Sequence, residues 1–132
     1  MLGEQIYVGQ GARTARRATA TQPVTIEVSF EDAGKLLGSE GGNIGTYVSS
    51  PRPDGSIEGT GQGIFACVDG SMVSWKGIGV GHFREGGAVS YRGCLVFTTS
   101  SPAFARLNGV AGVFEFEVDA AGKTQTKMWE WK

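Results

Sequence analysis

Apolar and polar residues alternate along much of this chain. Apolar residues occupy the even positions of segment 24–30, and apolar or glycine residues occupy the even positions of segment 110–118. Thr25, Glu27 and Ser29 lie between the first set, and Glu115 and Glu117 lie between the second. A period of two residues is typical of a strand with one buried face. The pattern therefore predicts strands rather than helices over both segments.

Turn signals divide the rest of the chain into further strands. Proline and glycine mark turns at residues 51–55, 84–87 and 120–122, and Asp69-Gly70 is a preferred two-residue hairpin loop. The strands that these turns separate are predicted at residues 45–50, 56–68, 71–83, 88–99 and 123–132. Residues 101–109 form the one helical piece, with Ser101 as N-cap, Pro102 at the first helical position and Gly109 beyond the end.

Seven or eight strands joined by short loops indicate a small all-β protein. An antiparallel meander of this size leaves exposed edges, and closing into a barrel removes them. We therefore expect residues 1–132 to form one domain, a small closed antiparallel β-barrel of seven to eight strands with one short helical turn.

The hairpin loops also predict which residues face the interior. A two-residue Asp69-Gly70 loop pairs Val68 with Ser71 and therefore Gly63 with Lys76, and a four-residue turn at 84–87 pairs Val80 with Tyr91. The face predicted to be interior then collects Phe65, Cys67, Met72, Ile78, Val80, Val89, Tyr91, Leu95, Phe97 and the glycines Gly59, Gly61 and Gly63, whereas Gly77, Gly79 and Gly81 face outward. The missing side chains at the interior glycines either let large neighbours fold over them or leave volume for a ligand.

Candidate chemistry is sparse on that predicted face. A few polar groups in an apolar concavity are typical of a small-molecule site. The apolar wall of this site is predicted to be Phe65, Tyr91, Leu95 and Phe97. Lys76 or His82 is predicted to supply the polar group that contacts the ligand. His82 and Tyr91 are weak candidates for general acid or base catalysis. Alternatively, Lys76 and His82 lie at the two barrel mouths, where water solvates them.

The tryptophans near the C-terminus admit two interpretations. Trp129 and Trp131 share a face and are expected to oppose Gly112 and Val110, closing the core. If that face is exterior, they form an apolar patch with Trp75, Phe83 and Ile64, which would favour self-association as a dimer or trimer.

Composition and charge restrict the classes of partner and cofactor that the protein is expected to bind. The net charge is −1, which disfavours nucleic acid as the main partner. Arg13, Arg16 and Arg17 are a local exception, either a contact for an anion or RNA or a solvated segment of strand or tail. One histidine and two scattered cysteines disfavour a zinc site. Segment 6–11 lacks the third glycine and the following helix of a dinucleotide site, so no cofactor is expected.

The cysteines and the hydropathy of the chain indicate in which cellular compartment the protein is expected. Cys67 and Cys94 are expected to be reduced thiols. No apolar run reaches the length of a membrane span, and segment 1–22 lacks the apolar stretch of a secretory signal. We therefore expect a soluble, cytoplasmic protein.

The glycine-spaced segments resemble a known group of barrels. Segments 59–65 and 77–83 around Asp69-Gly70, then Arg92-Gly93 and segment 110–118, are similar to the small barrels of allene oxide cyclase, dirigent proteins and their uncharacterised bacterial relatives. The resemblance covers about two thirds of the chain, and no family catalytic residue matches a position here. It implies a barrel with an apolar pocket and homo-oligomerisation, and fatty-acid-binding and lipocalin barrels are the competing family.

Three functions follow as hypotheses. The first is a barrel that binds a small, mostly apolar molecule in its interior. The second is an isomerase- or cyclase-type enzyme that uses the same pocket, and the third is a structural or oligomeric barrel without a ligand.

Overall fold

Eight strands follow one another around a closed antiparallel barrel, and β8 pairs with β1 to complete it. A computed structural model describes residues 1–132. The strands are β1 (Leu2–Thr21), β2 (Val24–Leu36), β3 (Ser39–Pro51), β4 (Ile57–Cys67), β5 (Met72–Phe83), β6 (Val89–Thr98), β7 (Ala111–Val118) and β8 (Lys123–Trp131). Two 3₁₀ segments, Glu85–Gly87 and Pro102–Gly109, lie between strands. The predicted fold class is confirmed.

The first strand is the element that sequence patterning described least. β1 is the longest strand, 20 residues, and it closes the barrel between β2 and β8. β2 continues to Leu36, beyond the predicted segment 24–30, and pairs with β3 down to Ser39. The eighth strand therefore comes from the arginine-containing N-terminal segment.

The predicted register of the β4–β5 hairpin is wrong by one residue. The Cys67 N–H donates to Ser71 O, and the Gly70 N–H donates to Cys67 O. These bonds close a three-residue loop over residues 68–70, with Gly70 at φ 90°, the geometry that such loops require at their last position. Ala66 consequently pairs with Met72.

A one-residue slip moves every side chain of a strand to the opposite face. Val73 and Trp75 therefore face inward together with Gly77, Gly79 and Gly81, whereas Lys76 faces outward. The predicted interior residues Met72, Ile78 and Val80 also face outward.

The next hairpin carries a second slip of one residue. Its loop spans residues 85–87 rather than 84–87, because the Arg84 N–H donates to Ala88 O and these two residues face each other, so Gly81 and not Val80 opposes Tyr91. The two slips cancel on β6. Tyr91, Leu95 and Phe97 are buried as predicted.

Aromatic rings cover the glycines of the inner wall. A Cβ added at Gly63 would lie 2.5 Å from Trp75 Cζ2, and one added at Gly45 would lie 2.9 Å from the same atom. A Cβ added at Gly81 would lie 2.7 Å from Tyr91 Cε1. Phe114 lies against Gly79 in the same way, with its Cζ 3.0 Å from an added Cβ. Both glycine triplets are therefore interior, and rings fill most of the space they leave.

The two ends of the barrel differ. The 3₁₀ segment Pro102–Gly109 closes the end that we call the lower end, where Phe104 and Leu107 are fully buried among Phe65, Phe97 and their neighbours. Ser101 does not cap this segment with its side chain, because its hydroxyl accepts the Met72 N–H at 3.0 Å. The opposite, upper end carries the β1–β2 and β7–β8 turns.

The C-terminal tryptophans lie on the outer face. Trp129 pairs with Val113 and Trp131 with Ala111, so the expected pairing with Gly112 and Val110 is wrong by one residue. Trp131 is 56% exposed. Of the other residues of the hypothetical outer patch, Trp75 faces inward, whereas Ile64 and Phe83 are exposed. Self-association through this face stays a prediction.

Two further observations concern thiols and helices. Cys67 and Cys94 are free thiols, and Cys94 is exposed on the outer face of β6. Neither helical segment is long and apolar enough to cross a membrane.

Because rings pack against the inner wall, replacing a glycine by alanine should lower the free energy of unfolding at some positions and not at others. We expect Gly63→Ala to lower the free energy of unfolding by about 1–3 kcal/mol, because its Cβ would overlap Trp75 and Ile44 O. Gly42→Ala is the control, since its Cβ would meet only Asp32 O at 3.8 Å, and we expect a change below about 1 kcal/mol. Urea unfolding measures both variants. Equal losses would contradict the proposed packing.

Candidate functional site

A cavity of about 60 Å³ lies inside the barrel between two aromatic layers. Tyr91, Phe30 and Phe116 form its upper wall, and Leu95 and Met128 contribute to its lower wall. Its volume is about twice the share of one water molecule in liquid water, roughly 30 Å³. The interior is therefore mostly filled, and this space is small and apolar.

The cavity receives two of the six predicted ligand-binding residues. Tyr91 and Leu95 line it. Phe65 and Phe97 are buried in the lower core and do not line it.

The two residues predicted to supply a polar group to the ligand do not lie in the cavity. Lys76 and His82 lie on the outer face and are exposed, because the β4–β5 register differs from the predicted one by one residue. Neither side chain lines the interior. Of the two catalytic candidates, only Tyr91 is inside, and burial raises its pKa although the nearby Ser49 side chain opposes the rise.

A buried polar cluster borders the cavity on the side of β1, β2, β3 and β8. At its centre, the Asp32 carboxyl accepts a hydrogen bond from the Tyr7 hydroxyl through Oδ1 and one from the Thr126 hydroxyl through Oδ2, the latter at 3.5 Å. Asn43 lies opposite Asp32 on β3 and accepts the Trp75 Nε1–H at 2.9 Å through its own Oδ1. We call these five residues the Asp32 cluster.

Burial controls the electrostatics of the Asp32 cluster. Removal from water raises the pKa of Asp32, and the polar side chains of Tyr7, Asn43 and Thr126 around it lower it again in part. Burial, and then the negative charge of Asp32, raise the pKa of Tyr7 well above its usual range. The arrangement can hold a proton on a carboxyl group at a higher pH than an exposed aspartate can.

Asn43, Thr126 and Trp75 connect the two features, because all three line the cavity. A group in the cavity can therefore reach the Asn43 amide and the Thr126 hydroxyl, each of which contacts Asp32. The site is an apolar chamber with one polar side.

Sequence reasoning missed the Asp32 cluster, although one signal for it was present. The even positions of segment 24–30 predict the inner face of β2, and one more step of the same period reaches Asp32. A carboxylate in phase with a buried face is seldom left unpaired. Its partners Tyr7 and Thr126 lie on strands 25 and 94 residues away in sequence.

Comparison with known proteins supports the fold. No family model matches the chain, and no curated protein matches it. Among solved structures, it resembles a protein of unknown function from Clostridium acetobutylicum, with 13% identity, a TM-score of 0.83 and 98% of each chain covered. A beta-barrel like protein from Acinetobacter baumannii is 12% identical at a TM-score of 0.81, covering 100% of this chain and 96% of its own.

A third solved structure is described as an enzyme. This protein from Penicillium herquei is 14% identical, with a TM-score of 0.70 over 96% of this chain and 92% of its own. At these identities the likeness concerns the fold alone. The chain is therefore similar in architecture to small β-barrel proteins, two of which carry no stated activity.

Proposed function

We propose that this protein binds a small, mostly apolar molecule inside its barrel. The observation that carries the proposal is the apolar cavity of about 60 Å³ that borders the Asp32 cluster. Apolar walls with few convergent polar groups favour a ligand that is held by burial and oriented by one or two hydrogen bonds.

The size of the cavity restricts the molecule. An engineered protein cavity of about 150 Å³ holds benzene, so a ring does not fit in the present space without movement of the wall. A narrow alkyl group fits better. Tyr47 supplies the route of entry, since it lines the cavity, is only half-buried, and has no hydrogen bond from its hydroxyl.

Proton transfer within the bound molecule is a second candidate function. It is favoured by the buried carboxyl of Asp32, which contacts the cavity through Thr126 and Asn43. Asp32 would give a proton to one atom of the molecule and recover one from another by way of the Thr126 hydroxyl, which lines the cavity, so the product is an isomer and no co-reactant is consumed. The fold is shared with a protein described as an enzyme.

The binding proposal predicts that filling the cavity abolishes occupancy. We expect dissolved xenon to shift the NMR signals of the Leu95 and Met128 methyl groups in the unmodified protein. Met128 should no longer respond in Leu95→Phe, because the larger side chain occupies the cavity. Val96→Phe, on the adjacent outward position of the same strand, is the control and should retain the response.

Two results would contradict the binding proposal. One is the absence of any shift at interior residues in the unmodified protein. The other is an equal response in Leu95→Phe and Val96→Phe, which would place the xenon on the surface.

The raised pKa of Asp32 predicts an unusual dependence of stability on pH. A carboxyl whose pKa is higher in the folded state contributes most below its unfolded pKa of 3.8, and this contribution is lost as pH rises through the folded pKa. We therefore expect the free energy of unfolding of the unmodified protein, relative to Asp32→Asn, to fall as the pH rises from 3.8. Urea unfolding across pH measures it. A difference that grows with pH would contradict the assignment.

A further inference from the structure

The upper end of the barrel carries an extension of the β1–β2 hairpin. β8 begins at Lys123, opposite Ala12, so β1 has no partner on that side beyond Arg13. Residues 14–21 therefore have no neighbour on the β8 side and pair only with β2. We call residues 13–30 the hairpin extension.

An irregularity in β1 turns two arginines toward the barrel axis. Arg13 pairs with Phe30, which is buried, and the register then shifts by one residue before Ala15. Arg16 consequently pairs with Val28, also buried, instead of with Glu27. Because paired residues share a face, Arg13 and Arg16 both lie on the inner face above the cavity.

The neighbouring Arg17 shows what these two arginines lack. Arg17 pairs with Glu27 and forms an ion pair with it at 3.3 Å on the outer face. Neither Arg13 nor Arg16 forms an ion pair or a side-chain hydrogen bond within the chain. A guanidinium carries five N–H donors and no acceptor, so both groups are free to bind an anion.

Arg13 is held in place although its charge is unpaired. Its guanidinium lies against Gly122 of the β7–β8 turn, where an added Cβ would be 3.1 Å from Nη2, and the residue is half-buried. Its backbone N–H donates to Gly122 O at 2.7 Å. A pre-positioned guanidinium loses less entropy when an anion binds.

The inner wall below the arginines offers no competing carboxylate. The nearest inward-facing one, Asp32, lies beyond Phe30 and is engaged by the Asp32 cluster. Tyr47 is close enough to both arginines that their positive charges lower its pKa, against the rise caused by burial. On β8, two residues beyond Gly122, the Thr124 hydroxyl is buried without a hydrogen-bond partner.

We propose that Arg13 and Arg16 bind the carboxylate of the molecule whose apolar end enters the cavity, so that the ligand class is a narrow, straight-chain monocarboxylate. The inference rests on the proposed binding function and names its ligand class. The positive charges, the upper wall of Phe30, Tyr91 and Phe116, and the small cavity lie in this order from solvent to interior. This order matches the order of groups in such a molecule.

Isothermal titration with matched probes tests the assignment. Hexanoate and hexanamide have the same shape and differ in charge, and acetate carries the charge without the chain. We expect hexanoate to bind about tenfold or more tightly than hexanamide, since charge-assisted hydrogen bonds are the stronger kind. Acetate should bind far more weakly than hexanoate.

Substitutions on the two faces of β1 separate the arginines by role. In Arg13→Gln/Arg16→Gln, we expect the preference for hexanoate over hexanamide to disappear while hexanamide affinity is unchanged. Arg17→Gln, on the outer face of the same strand, is the matched control and should retain the preference. Added salt should weaken hexanoate binding and leave hexanamide binding unaltered.

The possible results test the carboxylate site separately from the proposed binding of an apolar molecule in the cavity. Equal affinity for hexanoate and hexanamide, or an unchanged preference in the double variant, would overturn the carboxylate site and leave the cavity proposal standing. Acetate binding as tightly as hexanoate would overturn the amphipathic ligand class. No binding of either six-carbon probe, together with no xenon response at Met128, would overturn both.

Discussion

The packing of aromatic rings against glycine backbone is the interaction on which this barrel depends. Interior glycines face each other across neighbouring strands, as in the pairs Gly45–Gly63, Gly59–Gly79 and Gly61–Gly77. Such pairs leave areas of wall without Cβ atoms, where the rings of Trp75, Tyr91 and Phe114 lie. A few large rings thus fill a space that would otherwise need many aliphatic side chains, and little space is left over.

The same packing positions the polar chemistry. The Trp75 ring lies against Gly45 and Gly63, which brings its indole N–H to Asn43 and thereby connects it to Asp32. The interior therefore changes in character along the barrel axis. It runs from a closed apolar lower end, through the Asp32 cluster and the cavity, to the hairpin extension with Arg13 and Arg16. A molecule that enters from the upper end would meet charge first and apolar surface afterwards.

Prediction from sequence succeeded for the strands and failed for their register. Alternation and turn residues identified β4 to β8 closely, because both signals are local. The loop at Asp69-Gly70 has three residues where two were expected, and that single residue turned Lys76 and His82 outward. A second error of one residue in the β5–β6 turn restored the phase on β6, which is why Tyr91 and Leu95 were placed in the interior and do line the cavity.

The amino-acid sequence by itself determined an all-β chain, its closure into a barrel, and a wall rich in glycine, since these follow from local periodicity and from the need to remove strand edges. Tertiary structure alone decided which glycines face inward, that rings cover them, and that Asp32 meets Tyr7 and Thr126 from distant strands. It also decided that Arg16 faces the axis, through one extra residue in β1. The physical reason is that a strand has a period of two, so the face of each side chain depends on the parity of every loop and bulge, which neither composition nor alternation reveals.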